Sequence, residues 1–181
     1  MGARKYVLYL MLAMPGAAVI VDRIAVVVND RVIKDSDISR DIRVTDFLNG
    51  DQLDFSEGAR KKAGQRLIDQ QLIRREVKVG GYSNATPEEV GKFLESIIKQ
   101  RFHDSQSEYQ AALKNYALTD EQLRAQLTWQ ITVLHFIEQR FRPAVLGSDA
   151  DVEQRVNEAF EAWLDEAHKQ AQIDYHETGL Q

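Results

Sequence analysis

Asp22-Arg-Ile-Ala-Val-Val-Val-Asn-Asp-Arg-Val-Ile33 is the stretch on which the fold turns. Ile24, Val26 and Val28 alternate onto one side of an extended chain, while Ala25 and Val27 make the other side partly apolar. Asn29-Asp30 lies between two β-branched runs and marks a tight turn. The pattern predicts a hairpin within residues 22–33, with strands Arg23–Val28 and Arg31–Ile33. A two-stranded hairpin is marginal alone, so it requires a third strand or a covering helix. The other strand-like stretch is Gln172-Ile-Asp-Tyr-His-Glu177, which alternates with period two near the end of the chain. Both ends are therefore expected to meet in one small antiparallel sheet, in a mainly α chain.

Residues 35–171, between these strands, read as five or six helices. Thr86-Pro87-Glu88-Glu89 carries a capping box with Pro at the first helical position. Ser105-Gln-Ser-Glu108 and Thr119-Asp-Glu-Gln122 repeat the box, and Ser148-Asp-Ala-Asp151 is a weaker relative. Asp35 or Ser36 is placed to cap the first helix. Val90, Leu94, Ile97 and Ile98 form one apolar stripe. Leu123, Leu127, Ile131, Leu134, Ile137 and Phe141 form a second, and Val152, Val156, Phe160, Trp163 and Ala167 a third. Narrow stripes of this kind predict helices with one buried and one solvated face. Between Ser56 and Val79 the stripe thins to Leu67, Ile68, Leu72 and Val79. Gly80-Gly81 ends that helix and Gly147 separates the last two. Asn49–Ser56 and Arg142–Ser148 are the expected hinges.

The chain has 181 residues, 44% hydrophobic and 28% charged, enough apolar material for one packed domain. It has no Cys, which excludes disulfides, thiolate metal sites and Cys nucleophiles. A net charge of −5 without a basic stripe argues against nucleic acid as a partner. The amino terminus differs in kind. Arg4 and Lys5 precede an uncharged run from Tyr6 to Met14, then Pro15-Gly16 and the small residues Ala17 and Ala18. A basic start, a short apolar run and a small-residue exit make the plan of a secretory signal. The run breaks too early to span a membrane. Residues 1–18 are therefore read as a signal peptide and 19–181 as the working domain. Loss of Arg4 and Lys5 takes the net charge from −5 to −7.

No constellation for catalysis is legible. His103, His135, His168 and His176 form no pair at helical metal spacing. Asp35-Ser-Asp37 begins like a calcium loop, but Arg40 stands where such a loop needs Gly. Carboxylates in first helical turns, such as Glu88 and Glu89, are placed by the helix dipole. There is no phosphate-binding Gly loop and no nucleophile elbow. The residues read as a binding protein rather than an enzyme, with no cofactor and no metal.

The run Val21-Asp-Arg-Ile-Ala-Val-Val-Val-Asn-Asp-Arg-Val-Ile-Lys-Asp-Ser-Asp-Ile38 resembles the opening of the SurA family of periplasmic chaperones. Val21, Asp22, Ile24, Val27, Val28, Asn29, Val32, Ile33, Ser36, Asp37 and Ile38 carry the likeness. Arg66-Leu-Ile-Asp-Gln-Gln-Leu-Ile73 and Leu118-Thr-Asp-Glu-Gln-Leu-Arg-Ala-Gln-Leu127 resemble two of its helical segments, in the same order. The likeness runs from Val21 to about Asp151. It implies a helical chaperone core in which an amino-terminal hairpin pairs with a carboxy-terminal strand. It also implies a periplasmic, ATP-independent holdase for unfolded outer-membrane or secreted proteins. The parvulin prolyl isomerase domain usual in that family has no room here, so isomerase activity is not carried over. Clients of the family are rich in aromatic residues and lie in a groove. Apolar candidates for that surface here are Phe47, Leu48, Phe55, Phe102, Tyr109, Tyr116, Trp129 and Phe136. Two other readings stand beside it. One is an envelope scaffold that forms a homodimer by helix exchange; the other is a remnant of a prolyl isomerase. Amino-terminal sequencing of exported protein is expected to begin at Val19; a chain retaining Arg4 and Lys5 would contradict the signal-peptide reading.

Overall fold

β-branched residues dominate both arms of the hairpin, and such residues favour a pleated, half-buried surface. In a computed structural model, which describes residues 22–144, 149–176 and Leu180, these arms form β1 (Ile24–Val28) and β2 (Arg31–Lys34). The expected signal peptide, Val21, Gly147, Ser148 and Glu177 lie outside the described residues. Asn29 turns the chain with φ of 53°, a left-handed conformation that Asn tolerates better than most residues. β3 (Ile173–Tyr175) pairs antiparallel on the free edge of β1, which gives the sheet order β2-β1-β3. Val26 faces Tyr175, Val27 faces Asp174 and Val28 faces Ile173. The expected three-stranded sheet is thus present, with its third strand shorter than 172–177.

One detail of the alternation is corrected. The register shifts between Ile24 and Val26, and adjacent Ala25 and Val26 are both buried. A bulge breaks period two locally. It leaves Ile24, expected on the same side as Val26 and Val28, 47% exposed.

Among the described residues, six α-helices follow in chain order: α1 (Asp35–Asn49), α2 (Glu57–Gly80), α3 (Pro87–Phe102), α4 (Gln106–Asn115), α5 (Asp120–Arg140) and α6 (Asp149–Gln170). A short 3₁₀ turn, Arg142–Ala144, follows α5. Thr86 and Thr119 cap α3 and α5, with Glu89 and Gln122 closing the boxes, and Ser105 caps α4. Gly81, at φ of 66°, ends α2 in the left-handed conformation that favours glycine. The start of α1 differs from expectation. The helix begins at Asp35 itself, and the Lys34 N–H donates to Asp37 Oδ2 at 3.0 Å. Ser36 does not cap; its hydroxyl donates to Asp22 Oδ2 at 2.5 Å and ties the strand entry to α1. The α1–α2 connection, expected as a hinge, is pinned: the Asp54 N–H donates to Asp46 Oδ2 at 3.0 Å and the Tyr116 hydroxyl to the Asp51 carbonyl at 2.6 Å.

Among the described residues the core has three clusters. The first packs the inner sheet face (Val26, Val28, Ile33) on Ile38, Ile42 and Ile68, and Leu180 lies against Gly64 of α2. The second joins α1, α3, α4 and α5 around Phe47, Leu94, Tyr109 and Leu123. The third joins α2, α5 and α6 around Phe136, Phe141 and Val156. α5 belongs to two of them. Its first turns bury Leu123 and Leu127, and its later turns bury Trp129, Thr132 and Phe136. At about 100° per residue, the second set points roughly half a turn away from the first. The six-residue stripe read along this helix is therefore not buried throughout, and Leu134 is 59% exposed. Among the described residues, no helix is long and apolar enough to cross a membrane.

Asn29 supplies the turn conformation, and its side-chain oxygen accepts the Gln172 N–H at 3.1 Å. Asn29→Ala is expected to destabilise the fold by about 1–2.5 kcal/mol, since it loses the bond and places a Cβ-bearing apolar residue at positive φ. Asn29→Gly, which keeps the turn and loses only the bond, is expected to cost less. Urea unfolding of the two variants separates the contributions.

An apolar groove between four helices

The face switch in α5 leaves apolar side chains without cover. They border an open groove of about 980 Å³ between α2 and α6 on one side and α3 and α5 on the other. Ile73 and Trp129, 5% and 6% exposed, are its most buried apolar lining residues. Val133 and Ile131 from α5 and Phe160 and Leu164 from α6 add half-buried apolar surface. Phe93 of α3 and Leu134 of α5 are far more open, at 43% and 59% exposure. Polar groups stand among them: Arg66, Asp69 and Gln70 from α2, Glu89, Lys92 and Ser96 from α3, Gln126 and Gln130 from α5 and Glu161 from α6. Large exposed apolar side chains that share a concave surface mark a binding groove more often than isolated ones do.

The walls are held by polar ties. Asp41 of α1 is almost fully buried, and Arg66 donates to its Oδ2 through Nε at 2.9 Å and Nη2 at 2.5 Å. Burial pushes the Asp41 carboxyl above its ordinary value, and the Arg66 guanidinium offsets part of that rise. On the opposite wall, Glu89 accepts from the Thr86 N–H at 2.7 Å and from its hydroxyl at 2.8 Å. The Thr86 bonds, with a lesser contribution from His135, hold the Glu89 carboxyl below its usual range. His135 Nε2 lies 3.0 Å from Glu89, which joins α5 to α3. Thr132 of α5 accepts the Ala85 N–H at 3.0 Å and so fixes the approach to α3. His168 Nε2 meets Asp69 at 2.6 Å and joins α6 to α2. Among the described residues, no group of three or more His, Asp or Glu side chains is placed to hold a metal ion.

The eight apolar candidates read from the sequence fall into different places. Phe47 and Tyr109 are fully buried; with half-buried Phe102 and Tyr116 they form one aromatic cluster, with ring centroids 5.5–6.4 Å apart. Leu48 is half-buried against the same cluster. Phe136 is fully buried and packs edge-on against Tyr82, Phe141, Phe160 and Trp163. These six are packing residues in the folded chain. Phe55 is 42% exposed on the α1–α2 connection, away from the groove, with the Arg43 guanidinium 5.7 Å from its ring. Trp129 alone among the eight lines the groove. Phe93 and Leu134, the most exposed apolar residues of its lining, were not among the candidates. Phe93 flanks the stripe Val90–Leu94–Ile97, an offset that a sequence pattern can suggest. Leu134 lies on the stripe itself, so nothing local marks it as open. The chain matches no family model and no curated protein.

Asp120 locks the aromatic cluster that carries four of the candidates. The Tyr109 hydroxyl donates to its Oδ1 at 2.6 Å and Arg124 Nε to its Oδ2 at 2.5 Å. Partial burial alone would raise the Asp120 carboxyl, but these two donors bring it below its ordinary value of 3.8. A depressed folded value means that the stabilisation is present above about pH 4 and is lost as pH falls through the folded value. Asp120→Asn is expected to lower stability at pH 7 by about 1 kcal/mol. It is also expected to flatten the loss of stability below pH 4. Urea denaturation between pH 2.5 and 7 checks both.

Proposed function

We propose that this chain is an ATP-independent holdase of the SurA chaperone-core type, exported to the periplasm by residues 1–18. Its clients are unfolded outer-membrane or secreted proteins, and it has no prolyl isomerase activity. The observation that carries this reading is the open groove with Phe93 and Leu134 exposed on it. Such a surface offers area to apolar side chains of an extended chain without prescribing a sequence. The mixed-sign polar groups beside it, Lys92, Glu89, Asp69 and Glu161, suit a varied client better than a single charged ligand. The family likeness of Val21–Ile38 supports the same reading, as does a hairpin paired with a carboxy-terminal strand. The passage from α6 into β3 within residues 149–176 leaves no space there for an inserted isomerase domain.

The test is suppression of porin aggregation. Residues 19–181 are mixed with an unfolded outer-membrane porin without ATP, and light scattering is followed. Suppression is expected at near-stoichiometric ratios. The double variant Phe93→Ser, Leu134→Ser is expected to bind about tenfold or more weakly, because it removes two large apolar contacts. Its circular dichroism should be unchanged, since both side chains are exposed. Failure to suppress by a well-folded protein would reject the holdase and move the weight to the scaffold that dimerises by helix exchange.

A further inference from the structure

A second concave site lies on another part of α2. Arg74, Arg75 and Lys78 from this helix and Arg31 from the hairpin line a cavity of about 810 Å³ at the turn between β1 and β2. Among the described residues, one carboxylate, Asp30, lines it with them. Asp30 stands 3.7 Å from Arg31 and is itself largely exposed. Other cations of α2 have partners: Arg60 pairs with Asp35 and Arg66 with Asp41. Arg74, Arg75 and Lys78 have no carboxylate within ion-pair distance among the described residues. Arg74 lies with its guanidinium 4.0 Å from the centroid of the Trp129 ring, a cation–π contact that orients the fork. Arg74 is otherwise exposed. A guanidinium held over a ring, open to solvent and without a counter-ion can take an incoming anion.

We propose that this cavity binds a compact phosphate-bearing group through Arg31, Arg74, Arg75 and Lys78. Guanidinium forks match phosphate oxygens in pairs, and Lys78 adds a point charge. Convergent cations are neutralised better by a dianion than by a single carboxylate. The surroundings favour a compact ligand over an extended one. Glu76, which pairs with Arg140, and Glu166 line the neighbouring cavity that Arg75 also borders. Glu121 lines the cavity on the other side of Arg74. An acidic polypeptide laid over the cations would run onto these carboxylates, on a chain of net charge −5. A diphosphate fits its charge inside the cavity. The site meets the groove at Trp129, but none of the four cations lines the groove, and either reading can fail without the other.

The test uses the full chain and two probes, inorganic pyrophosphate and vesicles of phosphatidylglycerol. Binding is read by titration calorimetry and by Trp129 fluorescence in a Trp163→Phe background, because the chain has two Trp residues. Wild type is expected to bind pyrophosphate at low salt, with Trp129 emission changing as Arg74 engages the ligand. Arg75→Ala with Lys78→Ala, both exposed and unpaired, is expected to weaken binding at least about tenfold with unchanged stability. Arg74→Lys, which keeps the charge and loses the fork, is expected to weaken it less and to alter the Trp129 response. Binding to vesicles alone, lost in the same double variant, would also support the site and assign its phosphate to a lipid headgroup. Equal binding by wild type and the double variant, or none by wild type to either probe, would overturn the proposal. So would equally tight binding of a poly-glutamate peptide.

Discussion

The pairing of β3 with β1 is the contact on which the rest of the molecule depends. It joins segments far apart in sequence: the Gln172 N–H reaches the Asn29 side chain across 143 residues. The Asn29 N–H returns to the Gln172 carbonyl at 2.8 Å, and the His176 N–H meets the Ala25 carbonyl at 2.9 Å. Without β3, β1 and β2 would form a bare hairpin, a unit of marginal stability. Closing so long a loop is entropically unfavourable, though the penalty grows only slowly with length. The apolar face that the closed sheet presents to α1 and α2 offsets it. β3 also fixes the end of α6, which places Phe160 and Leu164 against α2 and α5. The groove inherits one of its walls from a strand pair at the other end of the helix.

The groove itself arises from a conflict within α5. A single helix serves two cores and buries Leu123 and Leu127 on one side and Trp129, Thr132 and Phe136 on nearly the opposite one. Its first face runs on past the point where a partner covers it, and Leu134 is left open there. On α3, Phe93 is similarly stranded beside a buried stripe. These two side chains are exposed because no neighbouring helix covers them, not because the local pattern is polar. That origin suits a surface for loosely held apolar chains, since an open apolar site needs no local break in the helix.

Trp129 stands between two chemically different surfaces. It lines the apolar groove, and its ring also carries the Arg74 guanidinium. Around the groove, charges are tied in pairs such as Asp41–Arg66 and Glu88–Lys92. Around the basic cavity Arg74, Arg75 and Lys78 are not, among the described residues, and Arg31 meets only the largely exposed Asp30. Such pairing leaves the apolar side chains as the distinguishing feature of the groove. The free cations leave the second cavity with a field opposite in sign to the chain as a whole.

Local signals in the sequence determined the elements of this protein. Alternating β-branched residues, capping residues at Thr86, Ser105 and Thr119, and Gly80-Gly81 each act within a few residues. The hairpin, the helix starts, the tail strand and their joining in one sheet were legible for that reason. Burial is not local. Whether Phe47, Tyr109 or Phe136 is core, or Phe93 and Leu134 are open, depends on which helix lies opposite. A helical stripe states which residues share a face but not how far its partner extends. The bulge at Ile24, the cap at Lys34 and the half-turn switch of the buried face along α5 were likewise settled by packing between distant segments. Only the tertiary structure decided them, because each depends on surfaces that meet only after the two ends of the chain have closed.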